Sequence, residues 1–189
     1  MKKLIVGISG ASAAIYGIRM LQALRSAKVE SHLVVSDASK KIIPLETTYQ
    51  VADVEALASH VYPIEDIGAA IASGSFQVNG MVIIPCSIKS LSAVANSYSE
   101  NLLVRAADVT LKEGRRLVMV VREAPLHRGH LRLMLAAAEM GAVIYPPMPA
   151  FYANPRTIDD LVNHTVGKIL DLFGIEHELL SRWQGAEKP

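Results

Sequence analysis

Arg122 and Glu123 follow directly on an apolar run, Leu117–Val121, and a cation beside a carboxylate at a strand end is unusual where only packing is at stake. The pair reads as functional rather than as packing. Ser87, Lys89, Ser90 and Ser92 crowd the turn after another apolar run, Met81–Ile84, where hydroxyls and one cation at a helix start suit a phosphate. A third group, Gly7, Ser9, Gly10, Ala11 and Ser12, follows Leu4–Val6 and precedes Ile15, Ile18, Leu21 and Leu24 at helical spacing. Small residues there permit a tight turn and a close approach to the backbone. Ser12 is placed as the helix N-cap or as a hydroxyl donor to an anion. An ordinary strand-to-helix turn would use the same small residues, and the loop lacks the G-x-G-x-x-G of dinucleotide sites.

Other chemistry-bearing residues read more plainly. Ser36 and Asp37 follow a strand over Ser31–Val35 and suit helix capping. Glu46 falls in a polar break and reads as a solvated carboxylate. Cys86 is the one cysteine, which rules out an intrachain disulfide and a cysteine-rich metal site, and reads as a small buried residue. His127 and His130 lack the H-E-x-x-H spacing of a zinc site and read as capping or surface groups.

The elements that must position these groups alternate in type. Strands are expected over Leu4–Val6, Ser31–Val35, Met81–Ile84, Leu117–Val121 and Ala142–Tyr145, with Pro85 ending the third. Helices are expected after the first loop, over Asp53–His60, Glu65–Ala72, Asn101–Gly114 and Leu131–Met140, and from Ile158 to Leu172. Five strands alternating with helices predict an α/β fold: a doubly wound parallel sheet, a Rossmann/flavodoxin-like three-layer sandwich in a single domain over residues 1–189. Ligands of such sheets bind outside the carboxyl ends of the strands. Gly10–Ser12, Ser36, Ser87–Ser90, Arg122–Glu123 and Pro146–Tyr152 all follow strands and are expected along that edge.

Composition sets the remaining bounds. The chain has 189 residues, is 51% hydrophobic with a mean hydropathy of +0.28, yet has no apolar run approaching the ~20 residues of a membrane helix. Excess apolar surface without a membrane span predicts a homo-oligomer. A formal charge of +1 supplies no field to draw in nucleic acid or anionic lipid, and a cytoplasmic location is expected.

Taken in order, Gly7-Ile-Ser-Gly-Ala-Ser, Pro85-Cys-Ser-Ile-Lys-Ser-Leu-Ser, Arg105-Ala-Ala-Asp-Val, Leu111-Lys-Glu, Arg122-Glu-Ala-Pro-Leu, Pro146-Pro-Met-Pro-Ala-Phe-Tyr and Arg182-Trp resemble the flavin prenyltransferases, the UbiX/Pad family, nearly end to end. The resemblance implies a metal-independent reaction. Reduced FMN is alkylated by dimethylallyl monophosphate, phosphate leaves, and a fourth ring closes, giving prenylated FMN for UbiD-type decarboxylases. By resemblance, Gly10, Ala11, Ser12, Ser36, Ser87, Ile88, Lys89, Ser90 and Arg122 hold FMN. Tyr152 and Lys168 hold the prenyl phosphate, helped by Lys112, with a neighbouring subunit as one source, and by Arg122 and Arg182. Glu123 shuttles the proton, Ser12 and Lys112 assist the leaving phosphate, Trp183 offers a π face to an allyl cation, and Glu46 positions groups. A large assembly, a dodecamer, is also implied. Ala13 departs from the family's glycine, and Lys168 is a point charge where arginine would bind bidentately. The related phosphopantothenoylcysteine decarboxylases carry a catalytic histidine just behind the first loop, where this chain has Ala13, Ala14, Ile15 and Tyr16. A non-catalytic flavin carrier or decarboxylase accessory subunit is the alternative that needs only the binding residues.

Overall fold

Period-two alternation along buried strands builds the architecture. In the computed structural model, which describes residues 2–180, 182 and 185, six strands are joined in one parallel sheet. They are β1 (Lys3–Ile8), β2 (Glu30–Val35), β3 (His60–Tyr62), β4 (Gly80–Cys86), β5 (Arg116–Val121) and β6 (Val143–Ile144), in the spatial order β3-β2-β1-β4-β5-β6. Leu4, Val6, Ile8, Leu33, Val35, Val82, Ile84, Val118 and Val120 point into one apolar layer. Their neighbours Ile5, Val34, Met81, Ile83, Leu117, Met119 and Val121 point into the other. Strands covered on both faces must be apolar at nearly every position, as these are.

Helices cover both faces. The first layer is closed by α1 (Ile15–Ser26), α2 (Asp37–Glu46) and α3 (Val51–Glu55), and the second by α4 (Ile88–Ala95), α5 (Leu102–Lys112) and α6 (Arg128–Glu139). The last helix, α7 (Ile158–Leu172), returns to the first layer through Val162, Val166, Ile169 and Leu170 and packs on α1. Several helix starts are fixed by side chains. Ser36, Ser87 and Asn101 accept from the backbone N–H three residues on, at 3.2, 3.2 and 3.1 Å, and His127 Nδ1 accepts from Gly129 N–H at 3.0 Å. Ser36 and His127 thus cap as their types suggest.

Four local expectations are corrected. Ser12 is not a cap: α1 starts two residues later, with Ala14 in the N-cap position and no side-chain cap bond. The segment Asp53–His60 is not one helix, because α3 stops at Glu55 and His60 opens β3. That strand, the sixth, is a three-residue exposed edge with no apolar run to announce it. Glu65–Ala72 forms only a 3-10 turn at Ala70–Ala72, with Pro63 and Gly68 limiting a regular helix. Pro85 does not end β4, which runs on to Cys86 through an irregularity between Ile83 and Cys86 that a proline tolerates.

Two buried groups show the effect of the layers on titration. Burial pushes the Cys86 thiol far up, so it is an inert small residue. Burial, then neighbouring His60, lowers the His32 pKa, which favours the neutral ring.

The tightest helix–sheet approach is at Gly17, where a Cβ would lie 2.5 Å from the Ile84 carbonyl oxygen and 2.8 Å from Ile8 Cδ1. Gly17→Ala therefore pushes α1 off β4 and is expected to destabilise by roughly 1–3 kcal/mol, read as a lower urea midpoint with an unchanged slope.

Candidate functional site

From β1 the chain winds outward to β2 and β3, then crosses back to lay β4 on the other side of β1. Loops leaving β1 and β4 therefore diverge at their carboxyl ends and leave a crevice. There the structure has a cleft of about 880 Å³, within the 300–1,000 Å³ typical of small-molecule sites. Gly10, Ala11, Ser12, Ser36, Ser87, Ile88, Lys89, Ser90 and Arg122 all line it, and so does Glu123. Residues assigned separately along 113 positions of sequence thus share one wall.

Hydrogen bonding holds the two loops in register. Ser9, fully buried, donates its N–H and its hydroxyl to the Pro85 carbonyl at 3.2 and 3.0 Å. The same hydroxyl accepts from Ser87 N–H at 2.8 Å. Gly10 follows at a place where a Cβ would lie 2.4 Å from Ala38 Cβ, so only glycine lets the loop seat against the start of α2. Ala13 adopts φ +77°, the left-handed region that favours glycine. Its N–H donates to Glu46 Oε2 at 2.6 Å, a charge-assisted bond that holds the turn from the end of α2. Glu46 is thus not merely solvated.

The cleft is built to receive an anion. The serine-capped starts of α2 and α4 both border it, with unpaired first-turn N–H groups and positive dipole ends. The N–H groups of Gly10 and Ser12 find no partner among the described residues. Arg122 forms no ion pair among them either, while its backbone N–H is tied to the Cys86 carbonyl at 3.1 Å. Lys89 is engaged differently, with Nζ 3.1 Å from Glu100 Oε1 at an exposed position where such a pair is worth little. Glu123 is exposed and accepts only from the N–H of Ala124, at 3.1 Å, so one carboxylate oxygen is left for chemistry. Ile64, Ile67 and Leu103 supply an apolar side.

The second half of the expected set lies elsewhere in the chain. Tyr152 and Lys168 do not line the cleft. Tyr152 OH lies 3.1 Å from His164 Nε2, and Lys168 Nζ lies 3.9 Å from Asp171 on the same helix. Lys112, placed by resemblance beside the phosphate, ends α5 and pairs with Glu113 near the amino-terminal edge of β5, opposite the cleft. Arg182 clamps Asp171 with two bonds of 3.0 and 2.8 Å and holds that carboxyl below the usual range. Trp183 lies outside the described residues. Glu100 and Asn101 have no functional reading in sequence, and Ser9 is read there only as one small residue of the first loop. A lone buried serine between apolar strand and glycine was the available signal for Ser9.

Two substitutions separate the loop's supports. Glu46→Ala removes the Ala13 bond and should cost about 1–2 kcal/mol in urea unfolding. Ala13→Gly relieves the left-handed strain, and after the entropy of glycine should gain about 0.5–1 kcal/mol.

Comparison with known proteins agrees with this geometry. The family model described as flavoprotein matches residues 1–170. The flavin prenyltransferase UbiX of Escherichia coli (strain K12) is 58% identical over 189 residues, covering 98% of this chain and all of that protein. A solved structure of AnUbiX (PadA1) in complex with FMN and dimethylallyl pyrophosphate superposes with a TM-score of 0.97 at 46% identity, covering 98% and 99% of the two chains. A dodecameric FMN-dependent UbiX-like decarboxylase from Escherichia coli O157:H7 gives a TM-score of 0.94 at 52% identity, covering 97% and 100%. The strand order, the cleft and full-length identity of this degree converge, and the chain belongs to the flavoproteins and, among them, to the flavin prenyltransferases.

Proposed function

We propose that the cleft at the β1–β4 crossover binds reduced FMN and presents it to dimethylallyl monophosphate, giving prenylated FMN. The observation that carries this assignment of residues is the meeting of all nine expected FMN contacts with Glu123 in one cleft. The fit to FMN rests on the donors: free N–H groups at Gly10 and Ser12, two serine-capped helix starts and the unpaired Arg122 guanidinium suit a phosphate ester. Bound there, reduced FMN supplies the nucleophilic ring atoms to which the five-carbon unit becomes attached.

The protein's own work is electrostatic and prototropic. Arg122 stabilises the charge that grows on the departing phosphate, aided by the Ser12 hydroxyl. Glu123 protonates that phosphate and accepts the ring proton when the second bond closes. Ile64, Ile67 and Leu103 keep water from an electron-poor allyl group.

Tyr152 and Lys168, with Lys112 and Arg182 as further cations, serve the prenyl phosphate from a neighbouring copy of the chain in this reading. Two features support it. They stand away from their own cleft, and Met148, Phe151 and Ile158, flanking Tyr152 in sequence, are 73, 73 and 79% exposed, an apolar surface that calls for a partner. A dodecamer is the proposed assembly, as the dodecameric relative is described. The product passes to a UbiD-type decarboxylase. No helix among the described residues is long and apolar enough to cross a membrane, and a cytoplasmic location is proposed.

Anaerobic incubation with reduced FMN and dimethylallyl monophosphate, followed by mass spectrometry of the extracted flavin, is the test. Wild type adds one prenyl unit. Glu123→Gln retains FMN within about twofold but turns over at least ~100-fold more slowly. Normal turnover by that variant removes Glu123 from the chemistry, and unmodified flavin from the wild type leaves a carrier. Coassembled Glu123→Gln and Tyr152→Phe chains recover activity above either alone if the site is shared between copies.

A further inference from the structure

Away from the cleft, at the amino-terminal edge of the sheet, Glu30, His32 and His60 bring their ligand atoms within 4.8 Å of one another. Strand geometry dictates the grouping. Glu30 and His32 are two apart on β2 and so share a face, and His60 opens β3 directly across from His32. Glu30 Oε1 stands 3.2 Å from Nε2 of each histidine. A carboxylate oxygen and an imidazole nitrogen that share a tetrahedral zinc ion, each at ~2.0–2.1 Å, lie about 3.3 Å apart.

His32 is 1% exposed, and its Nε2, 3.2 Å from Glu30 Oε1, has no well-aligned hydrogen bond among the described residues. Its Nδ1 is held by Tyr62 OH at 3.0 Å, the kind of outer contact that orients a metal-bound imidazole. The two histidine rings stack with centroids 4.8 Å apart, so one must turn to share an ion, and exposed His60 on the edge strand is free to do so. Lys3 Nζ also lies 3.4 Å from Glu30 Oε1; it is one-third exposed and would give way to a dication.

We propose that Glu30, His32 and His60 form a binding site for a divalent transition-metal ion of the zinc class, with water completing the coordination. Two imidazoles and one carboxylate favour such ions over magnesium or calcium. The nearest cleft-lining residues are Ile64, four residues after His60, and Ser36, six after Glu30, roughly 13–20 Å along the chain, so the ion takes no part in prenyl transfer. It pins β3, held by only three paired positions, to β2.

The full-length protein is stripped with chelator, dialysed against Zn²⁺ and assayed for bound metal, with Co²⁺ absorption reporting the coordination. One ion per chain is expected, with tetrahedral Co²⁺ bands. His60→Ala, at an exposed position, weakens the dissociation constant at least tenfold and abolishes the Zn²⁺-dependent rise in melting temperature, and Glu30→Gln weakens binding likewise. His127→Ala leaves binding unchanged. Binding unaffected by His60→Ala, binding lost in His127→Ala, or no binding at all overturns the proposal.

Discussion

The site depends on one buried hydroxyl. Ser9 joins the end of β1 to the end of β4 by hydrogen bonds given to the Pro85 carbonyl and to the Ser87 hydroxyl and one taken from Ser87 N–H. A buried hydroxyl without partners would be costly, and here the partners are the two backbones whose separation defines the cleft. The Pro85 carbonyl takes both the N–H and the hydroxyl of Ser9. With the latch in place, Gly10 seats on α2 and Ser87 caps α4. The cleft they border is then held open between the two loops.

Around that latch the helices act as fixed dipoles. The sheet is apolar on both faces, so α2 and α4 are pressed onto it by burial, and the direction of each crossover leaves their starts at the carboxyl edge. Arg122 and Glu123 arrive at that edge because β5 ends there and continues the strand order outward from β4. Charge is therefore placed by topology, and Arg122 and Glu123 form no ion pair among the described residues, although Lys89–Glu100 and Asp37–Lys40 do. The opposite edge has the reverse character: Lys112–Glu113, Arg182–Asp171 and Lys3–Glu30 are mutually neutralised.

Much of this was legible in sequence for a physical reason. Strands buried on both faces leave continuous apolar runs such as Met81–Ile84, and the turns that follow them must carry the ligand chemistry. That Gly10–Ser12, Ser36, Ser87–Ser90, Arg122 and Glu123 would line one edge was readable on that account, sharpened by family resemblance. The edge strand β3 was not, because three exposed residues carry no periodic signal. Ser12 resembled a cap only until the left-handed Ala13 displaced the helix start. Lys112 and Arg182 expose a different limit: resemblance names a residue without placing it, and here both are paired away from the cleft. The Glu30–His32–His60 cluster required the cross-strand register, which no spacing within one segment reveals.

Diffraction from crystals of the protein grown with FMN tests the central claim most directly. The account predicts flavin in the crossover cleft, its phosphate accepting hydrogen bonds from the Gly10–Ser12 loop or the serine-capped helix starts, with Arg122 and Glu123 facing it. Flavin bound elsewhere, with this cleft filled only by solvent, would contradict it.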